Sequence, residues 1–336
     1  MLILGAGDVR SVLDGAEQRV LAAVRESYEL HALGRTSVPH SVFLRFPADT
    51  RNRIIALPAY LGSGTAVAGV KWVSSFPDNV AQGLDRASAA IILNSMRTGV
   101  PEALLEASAI SAKRTAASAA LAASTLLSVN PSTGVSLVGC GLINFEVLRY
   151  LRAVFPSLDT ATVYDLDRGR SESFATKARS AWPTLAVDVV EQPADALAAQ
   201  RLVSLATTAT VPHLDTAHCR PGTLLLHLSL RDLTVASVRS SVNIVDDADH
   251  VCRAATSLHL AEQETGSRDF IASSLGEILV SDVPYVTDEQ RPIVFSPFGL
   301  GCLDLAVADL VRREAVVRGL GTRLDDFLPS GAQVFA

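Results

Sequence analysis

The sequence predicts an α/β protein with two domains, one built on a parallel sheet and one on a mostly antiparallel sheet. Three observations predict it: a length of 336 residues, an apolar content of 49% with 5% aromatic residues, and the order of the apolar runs. A chain of this length is long enough for two domains. After residue 134, strand-length apolar runs alternate with amphipathic helical stretches, which is typical of a parallel sheet.

A glycine turn stands at the start of that alternation. The apolar run 135–138 leads into Gly139 and Gly141, a helical stretch follows, and a second strand-like run ends at Asp165. This order is that of a Rossmann-type dinucleotide site, in which a helix N-terminus binds the pyrophosphate and an acid binds the ribose. The acid favours NAD over NADP. The glycine motif is incomplete, because Asn144 stands where the third glycine is usual. The predicted cofactor-binding residues here are Gly139, Gly141, Leu142, Ile143, Asn144 and Asp165.

The first 128 residues predict a different domain. We expect a strand at 1–4, a helix over 11–33, and strands at 42–46, 53–57, 65–74 and 89–94, separated by Gly, Pro, Asp or Asn. The Gly5/Gly7 pair is interpreted as a helix start near Asp8, because too few residues precede it for a second dinucleotide motif. Residues 94–101 predict a turn, and the Ala-rich stretch 102–127 predicts one long helix that leads into the second domain.

The elements after Asp165 continue the alternation. We predict helices at 171–181, 193–199, 270–279 and 303–319, strands at 186–190, 202–206, 224–228, 242–245 and 292–297, and a loose tail at 329–336. The predicted domains are residues 1–114 with 303–336, and residues 115–302, which bind the dinucleotide. Functional residues belong at the carboxyl ends of parallel strands, where Thr207, Thr208 and Asp232 stand.

Composition excludes several classes of function. The net charge of −6 leaves no basic surface for nucleic acid, and no apolar run reaches the length of a membrane helix. The N-terminus lacks the features of a signal peptide, and the four cysteines are widely spaced, so we expect a reduced, cytoplasmic chain without disulfides. The seven histidines form no metal-binding motif.

Two cations interrupt otherwise apolar segments. Lys71 lies within an apolar strand, where it either has a buried anionic partner or extends its ammonium group to water at the edge of the sheet. Arg114, with Lys113 before it, lies in the Ala-rich helix and is either a carboxylate-binding group or part of a solvated turn. Arg45 is a further candidate cation, which an exposed strand position explains nearly as well.

Asp232 follows a strongly apolar strand. A carboxylate at such a strand end is placed to act as a general acid or base. The alternative is that Asp232 caps a helix that begins near Thr234, and the local sequence slightly favours that role.

These residues, taken in order, resemble the ornithine cyclodeaminase/mu-crystallin family. The resemblance rests on AGVKW at 68–72, IILNSMRTG at 91–99, RTAA at 114–117, the glycine turn, TTA at 207–209, SLRDL at 229–233 and SPFGLGCLDL at 296–305. Within that family, IIALPAYL at 54–61, KWVSSFPDN at 71–79, LDRAS at 84–88 and GLINFE at 141–146 look most like the N-(2-amino-2-carboxyethyl)-L-glutamate dehydrogenase branch of 2,3-diaminopropionate biosynthesis.

The resemblance implies roles for individual residues. Lys71 and Arg114 would hold the substrate carboxylate, Lys71 and Asp232 would be catalytic, Thr115 would touch the cofactor, and Arg45 would be an additional substrate contact. It also implies NAD as cofactor, a homodimer formed through the sheet of the first domain, and a PLP-dependent synthase as pathway partner. Cyclodeaminases carry a glutamate in the strand before the Pro58 position, and its absence here argues against ornithine cyclisation.

The expected function is therefore NAD-dependent oxidative cleavage of N-(2-amino-2-carboxyethyl)-L-glutamate to 2,3-diaminopropionate and 2-oxoglutarate, in a pathway to a siderophore or antibiotic. Two alternatives remain. One is another activity of the same family, namely a ketimine reductase, an amino-acid dehydrogenase or a cyclodeaminase. The other is a non-catalytic, crystallin-like binding protein.

Overall fold

The computed structural model describes residues 1–62, 64, 66–127, 132–281, 285 and 289–327. The predicted loose tail at 329–336 lies outside these residues. The chain divides into two compact units, Met1–Arg114 with Leu300–Ala336, and Thr115–Gly299. Helix α3 crosses from the first unit into the second.

The first unit is a mixed, mostly antiparallel sheet with helices on one face. Its elements, in chain order up to the boundary helix, are β1 (Leu2–Leu4), α1 (Ala6–Leu13), α2 (Glu17–Ala32), β2 (Thr36–Ser37), β3 (Val42–Phe46), β4 (Asp49–Leu61), β5 (Val67–Ser75), a 3-10 helix (Pro77–Gln82), β6 (Ala87–Asn94), β7 (Pro101–Glu106) and α3 (Ser108–Leu126). The C-terminal segment returns to this unit as a helix and a short edge strand.

The second unit contains a doubly wound sheet. Its elements are β8 (Gly134–Val138), α4 (Leu142–Val154), β9 (Thr160–Tyr164), α5 (Arg168–Ala181), β10 (Ala186–Val189), α6 (Pro193–Ala199), β11 (Leu202–Leu205), a 3-10 helix (Thr216–His218), β12 (Leu224–His227), α7 (Val235–Ser240), β13 (Val242–Val245), α8 (Ala248–Val251), α9 (Ser257–Thr265), β14 (Ile271–Ser274), α10 (Leu275–Val280) and β15 (Ile293–Ser296). The first unit is then completed by α11 (Gly301–Arg318) and β16 (Thr322–Arg323).

The strand order in the second unit explains where its site lies. The order is β10-β9-β8-β11-β12-β15-β13-β14, and every pairing is parallel. The chain runs outward from β8 to β9 and β10, then returns to the other side of β8 at β11. Ligands of open α/β sheets bind where the order reverses in this way, outside the carboxyl ends of the strands.

The sheet of the first unit has the order β16-β1-β7-β6-β5-β4-β2, with β3 also paired to β4. All its pairings are antiparallel except that of β1 with β7. Helix α11 packs on β4, β5 and β6 and also contacts α2. One face of the sheet is therefore covered by helix, and this is the face on which Lys71 lies.

Three helix predictions are corrected by the structure. The helix expected over 11–33 is two helices, because the chain turns between them at Gly15, whose φ is +71°. The N-terminal part of the helix expected at 102–127 is strand β7, with Ala103 and Leu105 fully buried. Its Glu, Ala and Leu residues favour a helix, but pairing with both β1 and β6 outweighs that propensity.

The helix expected at 270–279 also begins as a strand. Residues of β14 pair in parallel with β13, and the helix starts only at Leu275. Ser274 and Glu277 form a capping box there, which fixes the helix start.

Candidate active site

The glycine turn after β8 is shaped to approach a ligand with its backbone. Gly139 has φ of +93°, and a Cβ atom there would lie 2.4 Å from the Ala206 carbonyl oxygen. Gly141 is the N-cap of the 13-residue helix α4 and has no side chain to cap the first N–H groups. Those N–H groups and the positive end of the helix dipole suit a pyrophosphate. Leu142 is exposed and Ile143 half-buried at the same helix start.

Asn144 supports the turn from behind. Its side chain is buried, and Nδ2 donates to the carbonyl oxygens of Val138 (3.0 Å) and Gly139 (2.7 Å). Its Oδ1 accepts a hydrogen bond from Ser204 Oγ on β11 at 2.7 Å. The side chain is thus engaged inside the protein. The residue that replaces the third glycine therefore ties β8, its turn and β11 together.

Asp165 follows β9 and closes the turn from the side. Its carboxylate accepts the backbone N–H of Cys140 at 2.7 Å and of Asp167 at 3.1 Å. A carboxylate has about four acceptor positions, so acceptor capacity is left for ribose hydroxyls. Arg170 Nε lies 3.6 Å from the same carboxylate. These residues fit an adenine dinucleotide of the kind that the sequence predicts.

A second cluster lies where β11, β12 and β15 end. The buried Asp232 accepts hydrogen bonds from the hydroxyls of Thr207 and Ser229, one on each carboxylate oxygen. His227 Nε2 lies 3.3 Å from Asp232 Oδ2, and His227 Nδ1 lies 3.1 Å from Ser296 Oγ. The structure thus brings the predicted Thr207 and Asp232 together and leaves Thr208 exposed beside them.

These donors set the charge of Asp232. Burial raises the pKa of the carboxyl group, but the neighbouring His227 and the hydroxyl hydrogen bonds from Ser229 and Thr207 outweigh burial and hold the pKa at about 2. The group is therefore ionised at neutral pH. The alternative role as helix cap is excluded, because the N-cap of α7 is Thr234, whose side chain accepts from Ser237 N.

The two candidate cations of the first unit meet on one buried carboxylate. Lys71 Nζ lies 2.6 Å from Asp304 Oδ2, and Arg114 Nε lies 2.9 Å from Asp304 Oδ1. Side-chain exposure is 3% for Lys71, 10% for Arg114 and 0% for Asp304. The edge position considered for Lys71 and the solvated turn considered for Arg114 are therefore both excluded.

The remaining predicted contacts lie apart from this cluster. Arg45 is exposed on β3 with its guanidinium 5.5 Å from the Phe43 ring centroid. It lies on the same sheet face as Lys71 but two strands away. Arg45 on β3 is opposite Arg53 on β4, and Arg53 is opposite Ser75 on β5, four residues beyond Lys71. Lys113 is buried with Nζ 3.6 Å from Asp14, and Thr115 is the next helix position after Arg114.

Sequence reasoning missed Asp304, His227 and Ser229. Asp304 had a usable signal, because a lone acid in the apolar stretch Gly301–Ala308 requires a buried cation, just as Lys71 requires a buried anion. His227 lies inside the strand predicted at 224–228, and Ser229 directly follows it. Only the fold shows that they face the Asp232 carboxylate.

Neither a metal-ligand cluster nor a membrane-spanning helix is found in the part of the chain that the structure describes. No three His, Cys, Asp or Glu side chains there are placed to hold a metal ion. No helix of the described residues is both long and apolar enough to cross a membrane. The cysteines among the described residues form no disulfide with one another.

The sheet order, the glycine turn and the strand-end carboxylates define an α/β protein with a dinucleotide-type site. The chain belongs to the ornithine cyclodeaminase/mu-crystallin family, whose model matches residues 6–319.

Three similar proteins illustrate the family. The N-((2S)-2-amino-2-carboxyethyl)-L-glutamate dehydrogenase of Staphylococcus aureus is 26% identical and aligns with 97% of this chain and 98% of its own. The structure of Thermococcus litoralis Delta(1)-pyrroline-2-carboxylate reductase with NADH and L-proline matches with a TM-score of 0.90, 25% identity, and 96% and 100% coverage. An archaeal alanine dehydrogenase dimer with bound NAD matches with a TM-score of 0.88 and 25% identity, and the match covers 97% of this chain and 99% of that one.

Proposed function

We propose that this protein is an NAD-dependent dehydrogenase that oxidatively cleaves N-(2-amino-2-carboxyethyl)-L-glutamate to 2,3-diaminopropionate and 2-oxoglutarate. The observation that carries the proposal is the buried Lys71–Asp304–Arg114 cluster. Two cations share one acid, which leaves one positive charge for a substrate α-carboxylate. The similarity to the Staphylococcus aureus dehydrogenase over nearly the whole of both chains supports this choice of substrate.

The cofactor is NAD. The glycine turn, the N-terminus of α4 and the Asp165 carboxylate provide the pyrophosphate and ribose contacts that such a cofactor needs. Two structural relatives contain NADH or NAD, which supports the same assignment. We propose that Thr115, Thr207 and Thr208 contact the cofactor as well.

In the proposed mechanism, Lys71 and Arg114 bind the glutamyl α-carboxylate and thereby orient the substrate Cα–H. Bound NAD+ supplies the acceptor for the hydride that leaves Cα. Asp232 is ionised at neutral pH, so it enters the reaction as a proton acceptor. It takes a proton from the substrate nitrogen and orients the water that adds to the substrate C=N bond with loss of one proton to solvent. Asp232 then returns its proton to the nitrogen of the carbinolamine, and the C–N bond breaks, which releases 2,3-diaminopropionate and 2-oxoglutarate. Thr207 and Ser229 hold its two oxygens in place.

The neighbourhood of Lys71 supports a substrate other than ornithine. The residue opposite Lys71 on β4 is Leu57, and Ile55 lies on the same face of that strand. These apolar side chains offer no ligand to a distal ammonium group.

A homodimer is part of the proposal. The face of the first-unit sheet away from α11 carries exposed apolar side chains, among them Val42 (64%), Trp72 (47%) and Ile92 (37%). An apolar surface of this kind is typical of a protein–protein interface. The archaeal alanine dehydrogenase to which this chain is similar is described as a dimer.

A substrate panel tests the proposal. The protein is incubated with NAD+ or NADP+ and, in turn, N-(2-amino-2-carboxyethyl)-L-glutamate, alanine, proline and ornithine, and NAD(P)H absorbance and product masses are followed. The expected result is the highest kcat/KM with NAD+ and the N-substituted glutamate, with 2-oxoglutarate as product. Turnover of alanine or ornithine alone would move the protein to another activity of the family.

One second candidate function has a specific observation in its favour. The TM-score of 0.90 to a Delta(1)-pyrroline-2-carboxylate reductase that binds L-proline supports reduction of a cyclic imine, which also presents one α-carboxylate. The same panel run in reverse, with NADH and cyclic imines, separates the two.

The proposed pathway partner, a PLP-dependent synthase that forms the substrate, is tested by asking whether its gene lies beside this one.

A further inference from the structure

The cation cluster of the first unit is built around an acid that the proposed mechanism does not use. Asp304 lies in the first turn of α11, is 0% exposed, and uses one carboxylate oxygen for Lys71 and the other for Arg114. Lys71 comes from the strand β5 and Arg114 from the helix α3, so one side chain joins three elements. Ser111 Oγ, also on α3, lies 3.5 Å from Lys71 Nζ.

The charge balance of the cluster depends on this acid. Lys71, Arg114 and Asp304 together carry a net charge of +1, which a substrate carboxylate neutralises. Without Asp304, two buried cations would face each other with no counter-charge. Removal of one partner from a buried ion pair is strongly destabilising, because the remaining charge is left uncompensated.

Lys71 is the member of the cluster whose charge is open to change. Burial lowers its pKa, Arg114 lowers it further, and Asp304 raises it, with the result that the pKa is about 8. The charged groups that act on it are Asp304 from α11 and Arg114 from α3, and Ser111 is the polar neighbour. An arginine keeps its charge throughout this range, whereas a lysine with this pKa loses its charge as the pH rises through about 8.

We propose that Asp304 is a positioning residue that keeps Lys71 protonated and aligned with Arg114, so that the pair presents a single net positive charge to one substrate carboxylate. The assignment of a substrate to this cluster rests on the proposed function. The electrostatic part does not, because it is a property of the free protein. Asp304 acts through Lys71 and Arg114 and is not itself assigned a contact with the substrate.

The chain allows a direct test, because it contains only three lysines: Lys71, Lys113 and Lys177. The protein is labelled with carbon-13 at lysine Cε, and the three NMR signals are followed through a pH titration without substrate. Lys71→Arg identifies the Lys71 signal by its disappearance. We expect Lys71 to titrate near pH 8 in the unmodified protein, and Asp304→Asn to move that midpoint down by about one pH unit or more, a tenfold change in its proton affinity.

A matched control and a variant of opposite sign complete the design. Asp309 is a buried acid on the same helix that pairs with Arg312 and Arg313, so Asp309→Asn should leave the Lys71 midpoint unchanged. Arg114→Gln removes the cation that lowers the Lys71 pKa and leaves Lys71 with Asp304 as a neutral pair. It should raise the midpoint, and it keeps the proposal testable even if Asp304→Asn does not fold.

Activity supplies a second readout. The KM for substrate should rise above about pH 8 as Lys71 loses its charge, Asp304→Asn should shift that rise to lower pH, and Lys71→Arg should abolish it. An unchanged Lys71 midpoint in Asp304→Asn, or no upward shift in Arg114→Gln, would overturn the proposal. If the NMR shifts occur but the N-substituted glutamate is not turned over, the substrate assignment fails while the role of Asp304 stands.

Discussion

At the scale of single residues, the buried charges of the two clusters described above lie against partners. Lys71 and Arg114 share Asp304, and Asp232 is held by Thr207, Ser229 and His227. The sequence indicated that Lys71, Arg114 and Asp232 are candidate site residues, because each interrupts or ends an apolar run. It did not predict the partners, since pairs such as Lys71 with Asp304 are distant in the chain.

The Asp232 carboxylate gives the first prediction. Asp232→Asn removes the negative charge while nearly conserving shape, so the proton acceptor is lost and kcat should fall by about 10²–10⁴-fold. NAD affinity, measured by fluorescence titration, should change little, because the glycine turn and Asp165 are untouched.

Asp215→Asn is the control for this variant. Asp215 is an exposed acid that caps the 3-10 helix Thr216–His218 in the same unit, so its replacement should leave kcat near that of the unmodified protein. Turnover that survives in Asp232→Asn would show that Asp232 only stabilises the fold.

At the scale of elements, the strands with period-two or continuous apolar patterns were predictable from the sequence. Strands β3 and β13 and helix α6 have the predicted bounds. Two of the three corrected helix predictions, those at β7 and β14, share a cause. In both, a segment predicted as helix pairs with a strand elsewhere in the chain, β1 for β7 and β13 for β14, and that pairing outweighs local preference.

The glycine turn gives a prediction for one element. Gly139→Ala places a Cβ atom 2.4 Å from the Ala206 carbonyl oxygen and forces a non-glycine residue to φ of +93°. The β8–α4 turn must shift, so NAD affinity and the melting temperature should both fall, as measured by calorimetry and thermal unfolding.

Gly7→Ala is the matched control, because it alters the other G-x-G of the chain. Gly7 lies inside α1, and a Cβ atom there would meet nothing within 4 Å. The exchange should keep NAD affinity and stabilise α1 by up to about 1 kcal/mol. Equal loss of NAD affinity in both variants would contradict the assignment of the dinucleotide site to the second glycine pair.

At the scale of the whole molecule, the sequence predicted two domains of different sheet type, and the structure divides into two units with a boundary in α3 and another before α11. The helix at the end of the chain was expected to return to the first domain, and α11 lies in that unit. The exposed sheet face was not predictable in the same way. The alternation of apolar residues along a strand does not show which face of the sheet the helices cover and which face stays exposed.

The proposed dimer gives the prediction at this scale. Ile92 lies on the exposed sheet face, so Ile92→Asp places a charge in the proposed interface and should shift the protein towards the monomer in analytical ultracentrifugation. Val317 is 83% exposed on α11, away from that face, and Val317→Asp should leave the mass unchanged. A dimer that persists in Ile92→Asp would mean that another surface is used.

The central claim, oxidation at the glutamyl Cα of an N-substituted amino acid, is tested most directly by the fate of one hydrogen atom. The substrate N-(2-amino-2-carboxyethyl)-L-glutamate is prepared with deuterium on the glutamyl Cα and incubated with NAD+, and the products are analysed by mass spectrometry. We predict that the deuterium is found in the reduced cofactor, that 2-oxoglutarate and unlabelled 2,3-diaminopropionate form in equal amounts, and that Asp232→Asn forms neither. Deuterium that stays with the amino-acid products, or the absence of reduced cofactor, would contradict the account.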